Sequence, residues 1–483
     1  MKHNIGRREF LKQSVFSAAT ALAASSVDVL AANREKSVRA SSPKKIIVAG
    51  GGIGGLCCAY ELMKRGHEVV VLEASQRAGG HVRTIYDPLA DGLYADAGAE
   101  HFTKPGYDFY WNYTKEFNLT ALPYPRRDNI IRWVQGKPYT EEMLADRKIL
   151  SEFGFNQREI NYLAHNPWWS LPALYFTPYI QSFENEYRPF NARLNHLDQM
   201  PLIDLLKKDQ ASAAAIDFIG DSKSSALHVI WHAAILKLRG VPLWPPKVFR
   251  LKGGNQIMTD TFAAKLTERV RLGCPVTNIA HGKTGVKVEY RERGRDKKID
   301  ADYLVSGMSL LMLRKVPIAP AWPEAKAFVV HNMPYYMMTR VVFQSRTPFW
   351  EKDKVSPNIE HGDESLIDVW RMAEDVETPR GLLIGNASAR TTSEEALAAF
   401  RKMYPGKSEN IEQALVVNWA NDPWARACET VHYPPNWLTR IWPNVIEPHG
   451  RIHFVGAYAD NLNWGMEAAT RSANRVAKMI DEA

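Results

Sequence analysis

Cysteine is scarce in this 483-residue chain. Cys57, Cys58, Cys274 and Cys428 are the full set, with neither a CxxC pair nor metal-ligand spacing. That argues against a disulfide framework or a zinc centre, so buried thiols and no metal are expected. Long apolar runs are absent too: no segment reaches the roughly 20 apolar residues that a spanning helix needs, so no stable membrane span is expected. Nor does one sign of charge dominate. Against 61 Lys and Arg stand 53 Asp and Glu, a formal +8. Lys2, Arg7, Arg8 and Lys12 less Asp28 carry +3 of this, leaving +5 for the rest, too little to imply nucleic acid. Repeats and low-complexity tracts are missing. What is present, 45% hydrophobic and 24% charged residues, is a globular composition. The length favours two or three domains, with interior enough for a buried cofactor and a substrate cavity.

The first 32 residues have the three parts of an export leader. Residues 6–12 read GRREFLK, an apolar stretch SVFSAATALAASS follows, and a small-residue site surrounds Val29, Leu30, Ala31 and Ala32. Paired arginines followed by Phe10, Leu11 and Lys12 resemble the twin-arginine signal. This implies the twin-arginine export machinery as a partner and a periplasmic or otherwise exported location. Residues 33–43, NREKSVRASSP, read as a linker.

A nucleotide fingerprint opens the first domain. Residues 45–49, KIIVA, form a short apolar strand that runs into Gly50, Gly52 and Gly55 in GxGxxG register, and a helical pattern follows. The glycines allow a tight turn, close approach of a pyrophosphate to the helix N-terminus, and tight helix-to-strand packing. A second strand, HEVVVL, ends at Glu73, 23 residues beyond Gly50, where a carboxylate accepts from ribose hydroxyls. Cys57 and Cys58 are expected to pack the helix onto the sheet.

Glu73 leads into EASQRAGGHVRT, residues 73–84. This run resembles the RxGGRxxT element of the flavin amine oxidase superfamily. The resemblance implies FAD as cofactor, with Arg77, Gly79 and Gly80 along the pyrophosphate and ribityl chain. It recurs in residues 250–256, RLKGGNQ, a glycine turn before a helix, and in residues 275–279, PVTNI, which place Val276 at the adenine. It recurs again in RIHFVG, ending at Gly456, and in residues 464–469, WGMEAA, which open a last helix. In the family that helix aims its N-terminus at the flavin, so Met466 would offer a backbone donor.

The fold class expected is α/β, a Rossmann-type FAD-binding domain (GR2-like) interleaved with a mixed α+β substrate domain. The FAD-binding pieces are residues 44–109, 247–316 and 412–483; the substrate-binding pieces are residues 110–246 and 317–411. The second substrate piece carries a strand pair around MTRVVFQ and SLIDVW.

The catalytic positions implied by the resemblance depart from the family pattern. A lysine that often bridges to the flavin through water is replaced by Arg340, which cannot give up a proton. One wall of the family's aromatic cage aligns with Glu429 and the other with Gly465, leaving Trp464 or Trp424 to line the cavity instead. A carboxylate at Glu429 would attract an ammonium or move a proton. Glu100 and His101 match a stretch near the ring, with His101 suited to proton transfer. Cys428 falls where some relatives bond covalently to FAD; a non-covalent cofactor is the expectation. The leading activity is oxidation of an amine or amino acid, a small-molecule substrate, to an imine, with oxygen reduced to peroxide. Dehydrogenation of a non-amine at carbon–carbon or carbon–oxygen bonds, with a quinone or carrier protein as acceptor, stays open. So does a flavin-binding scaffold or electron-transfer module without substrate chemistry.

Overall fold

The computed structural model describes residues 42–483 except residues 246, 355, 361, 363, 364 and 463 and the side chains of Glu429 and Thr430. The leader and most of the linker lie outside the described residues.

The strand Lys45–Ala49 sits at the centre of a five-stranded parallel sheet. The order is Val270–Arg271, Glu68–Leu72, Lys45–Ala49, Tyr303–Ser306 and Ile452–Phe454. Ile46, Ile47, Val48 and Ala49 are all buried, the continuous apolar run that a strand covered on both faces requires. On one face the helix Ile53–Lys64 packs against the C-terminal helix Gly465–Asp481. Cys57 and Cys58 are fully buried in this layer, and burial pushes both thiols well up, as expected for inert packing groups. The α/β class therefore stands, and the carboxyl ends of these strands form the edge where a dinucleotide binds in such folds.

Two further sheets complete the frame. Arg295–Ala301, Val286–Glu292, Val276–His281 and Ile318–Ala319 make a four-stranded sheet. A seven-stranded sheet runs in the order Ile411–Asn418, Met338–Ser345, Gly381–Ser388, Asp368–Met372, Ile359–Glu360, Ile131–Val134 and Lys137–Tyr139. Beside it, helices including Leu171–Ile180 and Ala226–Leu238 pack around Trp231, Tyr175 and Leu227.

Two expectations need correction. The segment boundary at 412 falls inside a strand: Ile411–Asn418 pairs along its length with Met338–Ser345, so it belongs to the seven-stranded sheet and not to the nucleotide sheet. Moreover, MTRVVFQ and SLIDVW do not pair, because Gly381–Ser388 lies between them and hydrogen-bonds to both. A period-2 pattern marks a strand but carries no information about its neighbour.

Candidate active site

A cavity of about 970 Å³ runs between these layers. At one end Gly50 ends the first strand with φ 107°, donating to Leu72 O at 2.8 Å; a Cβ there would stand 2.8 Å from the Gly307 backbone. Glu73 is buried and lines the cavity; its Oε2 accepts from Gly51 N–H at 2.6 Å and its Oε1 from Ser75 N–H at 2.8 Å. Gly79 N–H donates to Gly51 O at 2.8 Å, which fastens the EASQRAGG turn across the fingerprint. Arg77 donates to the Gly80 and Ala78 carbonyls, so it braces that turn and also lines the cavity. Val276, Gly456 and Met466 are in the lining too.

These residues fit FAD on grounds internal to the fold. A Cβ at Gly55 would lie 2.0 Å from Gly50 O, so protein packing alone demands that glycine. Gly52 is different: it lines the cavity, yet a Cβ there would meet no protein atom within 4 Å. Its bareness serves something other than the chain. Gly52 caps the helix Ile53–Lys64 and Trp464 caps Gly465–Asp481, both without a side-chain cap bond, so two sets of helix N–H groups stay open at the cavity. A long cleft with two unsatisfied positive helix ends and a ribose-type carboxylate suits a dinucleotide anion.

Farther along the cavity, residues 97–101 are gripped from several sides. Trp419 Nε1 donates to Ala97 O at 2.9 Å, Arg340 Nη2 to Gly98 O at 2.9 Å and Asn255 Nδ2 to Ala99 O at 3.1 Å. A Cβ at Gly98 would lie 1.7 Å from His81 O, so this stretch is pressed against the flavin-motif turn. The grip presents His101 to the cavity. His101 Nδ1 is 2.6 Å from Glu100 Oε1, and Arg126 Nη1 is 3.1 Å from the same oxygen. Burial would raise Glu100, but Arg126, His101 and Arg340 outweigh it and hold the carboxyl at about 2. An ionised carboxylate only accepts, so the 2.6 Å contact with Glu100 assigns the His101 proton to Nδ1 over the longer 3.1 Å approach of Arg126 Nη1 to the same nitrogen, and Nε2 is left as the lone-pair acceptor. Burial, opposed by Glu100 and reinforced by Arg126, lowers His101 below the ordinary histidine value, so the ring is neutral at pH 7.

Behind this lies a polar chain that spacing alone could not predict. Arg126 stacks on Trp370 and reaches Glu360 at 3.7 Å. Burial and the neighbouring Asp368 raise Glu360 to about 8. Asn386 Nδ2 donates to Asp368 at 3.0 Å, and Arg340 Nη1 donates to Asn386 Oδ1 at 2.7 Å. Arg340 is thus buried at the cavity and holds the Gly98 carbonyl, with its Nε free of any partner among the described residues. The sequence signalled Arg340 but not its partners. Arg126, Asn386 and Glu360 come from three separate segments, and the only visible hint was an arginine pair in the proline-rich stretch YPRR.

The other expected positions are distributed as follows. Glu429 sits in the short strand Glu429–Thr430, paired with Tyr336; its side chain lies outside the described residues. Gly465 lines the cavity, and a Cβ there would meet no protein atom within 4 Å. Trp464 stacks on Tyr107 at 5.6 Å between centroids and lines the cavity, as does Trp424, which is 38% exposed. Cys428 is in the lining, its N–H donating to Tyr336 O at 2.9 Å. Residues that sequence reading did not place there include Tyr107, Tyr335, Tyr336, Met338 and Tyr458. Among the described residues no cluster of three or more His, Cys, Asp or Glu could hold a metal ion, and no helix is long and apolar enough to cross a membrane.

Comparison with known proteins settles the family. Residues 53–480 match the model for flavin containing amine oxidoreductases. The chain belongs to that family. It is an FAD-dependent, amine-oxidase-like oxidoreductase. It is 23% identical over 471 residues to an L-amino-acid oxidase of Demansia vestigiata, covering 92% of this chain and 88% of the relative. It is 27% identical over 482 residues to an L-amino acid oxidase of Bothrops pictus, covering 92% and 91%. Among solved structures it resembles a putrescine oxidase bound to putrescine, with a TM-score of 0.76, 20% identity, and 92% of this chain and all of the other covered. It also resembles cyclohexylamine oxidase from Brevibacterium oxydans, with a TM-score of 0.75, 20% identity and 91% and 99% coverage. Membership in this family favours amine oxidation over the non-amine dehydrogenase and scaffold alternatives.

Proposed function

We propose that this enzyme oxidises a small amine to an imine, with oxygen reduced to hydrogen peroxide and the imine then hydrolysed, and that His101 takes the proton from the substrate ammonium. Bound FAD supplies the acceptor for the hydride equivalent that leaves the carbon beside nitrogen. The chain's part is to bind, to exclude water and to free the amine lone pair. The observation that carries the reading is the imidazole at the cavity wall with its Nδ1 2.6 Å from Glu100 Oε1, which leaves Nε2 as acceptor, while burial lowers the ring's pKa and so favours the neutral form. An ammonium has no lone pair to assist hydride departure, so a nearby base of histidine type lowers the barrier. Arg340 holds the Gly98 carbonyl and so steadies the segment that carries His101. Cys428 leaves FAD non-covalent in this reading, so acid precipitation should release all the flavin into solution.

An anaerobic titration of the leaderless holoenzyme with amines and amino acids tests it. The yellow flavin band should bleach, and oxygen should restore it with one peroxide per turnover. In His101→Gln the rate of bleaching should fall by about 10²- to 10³-fold. The wild-type rate should decline at low pH, below the ordinary histidine value, and that acid limb should vanish in the variant. A variant that bleaches as fast as wild type would remove His101 from the mechanism, and a band that no amine bleaches would remove the amine.

Export through the twin-arginine route is part of the same proposal. It is supported by residues 6–12, GRREFLK, and by a fold built around a buried cofactor that is best loaded before crossing. With Arg7→Lys and Arg8→Lys together, the protein should accumulate in the cytoplasm of a bacterial host; unchanged export would defeat the reading.

A further inference from the structure

We propose that Glu360 and Asp368 share one proton, that this proton keeps Arg126 on Glu100, and that its loss sets the alkaline limit of flavin reduction. The pair thereby acts as a positioning unit for His101. This rests on the amine-oxidising reading above, with His101 as base, and adds two groups that lie outside the cavity lining.

Five side chains form one polar row across the seven-stranded sheet. Arg340 is paired with Asn386, Asn386 with Asp368, and Glu360 with Arg132. Ile359 opposes Val369 in an antiparallel pair, so Glu360 stands opposite Asp368. Cross-strand partners share a face, and like charges directly opposite each other are unfavourable. A buried carboxylate pair relieves the repulsion by holding a proton. Hydrogen bonding along the row decides which member carries it. Arg340 Nη1 donates to Asn386 Oδ1 at 2.7 Å, which turns the amide so that Nδ2 donates to Asp368 Oδ2 at 3.0 Å. That donor favours ionised Asp368, so the proton resides on Glu360. Glu360 is faced by Asp368 from its own sheet, by Arg126 and Arg127 from the turn Pro125–Arg127, and by Arg132 from Ile131–Val134. Arg132 also faces Asp217 and turns its guanidinium to the Phe218 and Trp168 rings, at 3.9 and 4.5 Å. Burial and Asp368 raise Glu360 to about 8 against the pull of Arg126 and Arg127.

Arg126 carries the state of the pair to the reacting end. Its guanidinium lies over the Trp370 ring at 4.0 Å, with Nη1 3.1 Å from Glu100 Oε1 and Nη2 3.7 Å from Glu360 Oε1. The unequal distances match one ionised and one protonated partner. When Glu360 ionises, two buried carboxylates compete for one guanidinium, and the hold on Glu100 weakens. Glu100 accepts from His101 Nδ1, so the tautomer that leaves Nε2 as acceptor loses its anchor.

The test follows flavin reduction by saturating phenethylamine and L-phenylalanine across pH in wild-type, Glu360→Gln and Asp368→Asn holoenzymes. The wild-type rate should decline as the pH rises through about 8, to about a tenth of its plateau. Glutamine keeps the shape of Glu360 and stays neutral at every pH, so in Glu360→Gln the alkaline decline should vanish. Asp368→Asn removes the like charge and lowers Glu360, so there the decline should move down by about one pH unit or more. A loss of structure would not move the two variants in opposite directions. Infrared difference spectra between neutral and alkaline holoenzyme read the proton without substrate, through the carbonyl stretch that a protonated carboxyl has and a carboxylate lacks. Burial also raises Asp96, Asp460 and Glu467 to about 7, so each variant is subtracted from wild type. A band that titrates through about 8 in wild type and is missing in Glu360→Gln upholds the shared proton. An alkaline decline unchanged in both variants, or a Glu360→Gln spectrum identical with that of wild type, overturns the proposal. If neither compound bleaches wild-type flavin, the amine reading fails by itself, and the infrared comparison still decides whether the pair holds a proton.

Discussion

A Gly52→Val enzyme is expected to fold and to lose its flavin. Gly52 has φ −69° and ψ 170°, a backbone conformation that any residue adopts, and a Cβ added there meets no protein atom within 4 Å. The chain itself therefore does not require glycine at this position. The cofactor is expected to: the residue caps the helix Ile53–Lys64 at the cavity, where bound FAD would bring its pyrophosphate close to the backbone. Flavin affinity should fall by tenfold or more, about 1.4 kcal/mol for each tenfold. The apoprotein Tm should stay within a few degrees, since an N-cap change of this kind costs at most about 1 kcal/mol. Gly55→Val supplies the contrast. Its Cβ would lie 2.0 Å from Gly50 O and 3.2 Å from Val48 Cγ1, so no folded protein should be recovered. The two outcomes separate a glycine kept for the ligand from one kept for packing. Full flavin occupancy in Gly52→Val would mean that the pyrophosphate does not pass this residue.

Removing the carboxylate at Glu100 should lower both stability and turnover. Glu100 is buried, it faces Arg126 at 3.1 Å and His101 at 2.6 Å, and it is lowered from 4.5 to about 2. Glu100→Ala leaves Arg126 short of its nearer counter-charge, a loss of about 3–5 kcal/mol. A folded-state value below the unfolded one gives stability that is present above the ordinary glutamate range and lost as the pH falls through about 2. The shift is worth about 3 kcal/mol, so the gap in unfolding free energy between wild type and variant should close as the pH drops from about 4.5 towards 2. Flavin reduction should slow as well, because His101 Nδ1–H loses its acceptor and the ring is free to carry its proton on Nε2. Glu100→Gln retains an oxygen for Nδ1–H but not the charge. It should recover more of the rate than of the stability. Equal recovery of both would show that charge and tautomer control are not separable here, and no loss of either in Glu100→Ala would discard the account.

Much of the cofactor site was legible along the chain because its determinants are local. A strand, three glycines in fixed register, a helix and a carboxylate at the next strand end lie within 30 residues, and each answers to a steric or electrostatic demand that spacing expresses directly. The strand Lys45–Ala49, the helix Ile53–Lys64 and the cavity positions of Glu73, Val276, Gly456 and Met466 all follow. Strand partners did not, because alternation sets which face a side chain takes and leaves the neighbour open: Gly381–Ser388 separates the two strands expected to pair, and Ile411–Asn418 joins their sheet.

The substrate end was decided by tertiary structure. His101 was readable as a candidate, yet its tautomer depends on Glu100 and Arg126, and the place of Arg340 depends on Asn386 and Gly98. Two neighbouring arginines, identical in sequence terms, diverge because one meets Glu100 while the other meets Trp244 and a backbone carbonyl. Cofactor identity was therefore a property of the sequence alone, since a pyrophosphate is gripped mostly by backbone held at short range. The charge and protonation of the substrate end belong to the fold, since burial and counter-charges from distant segments determine them, and no spacing rule carries either.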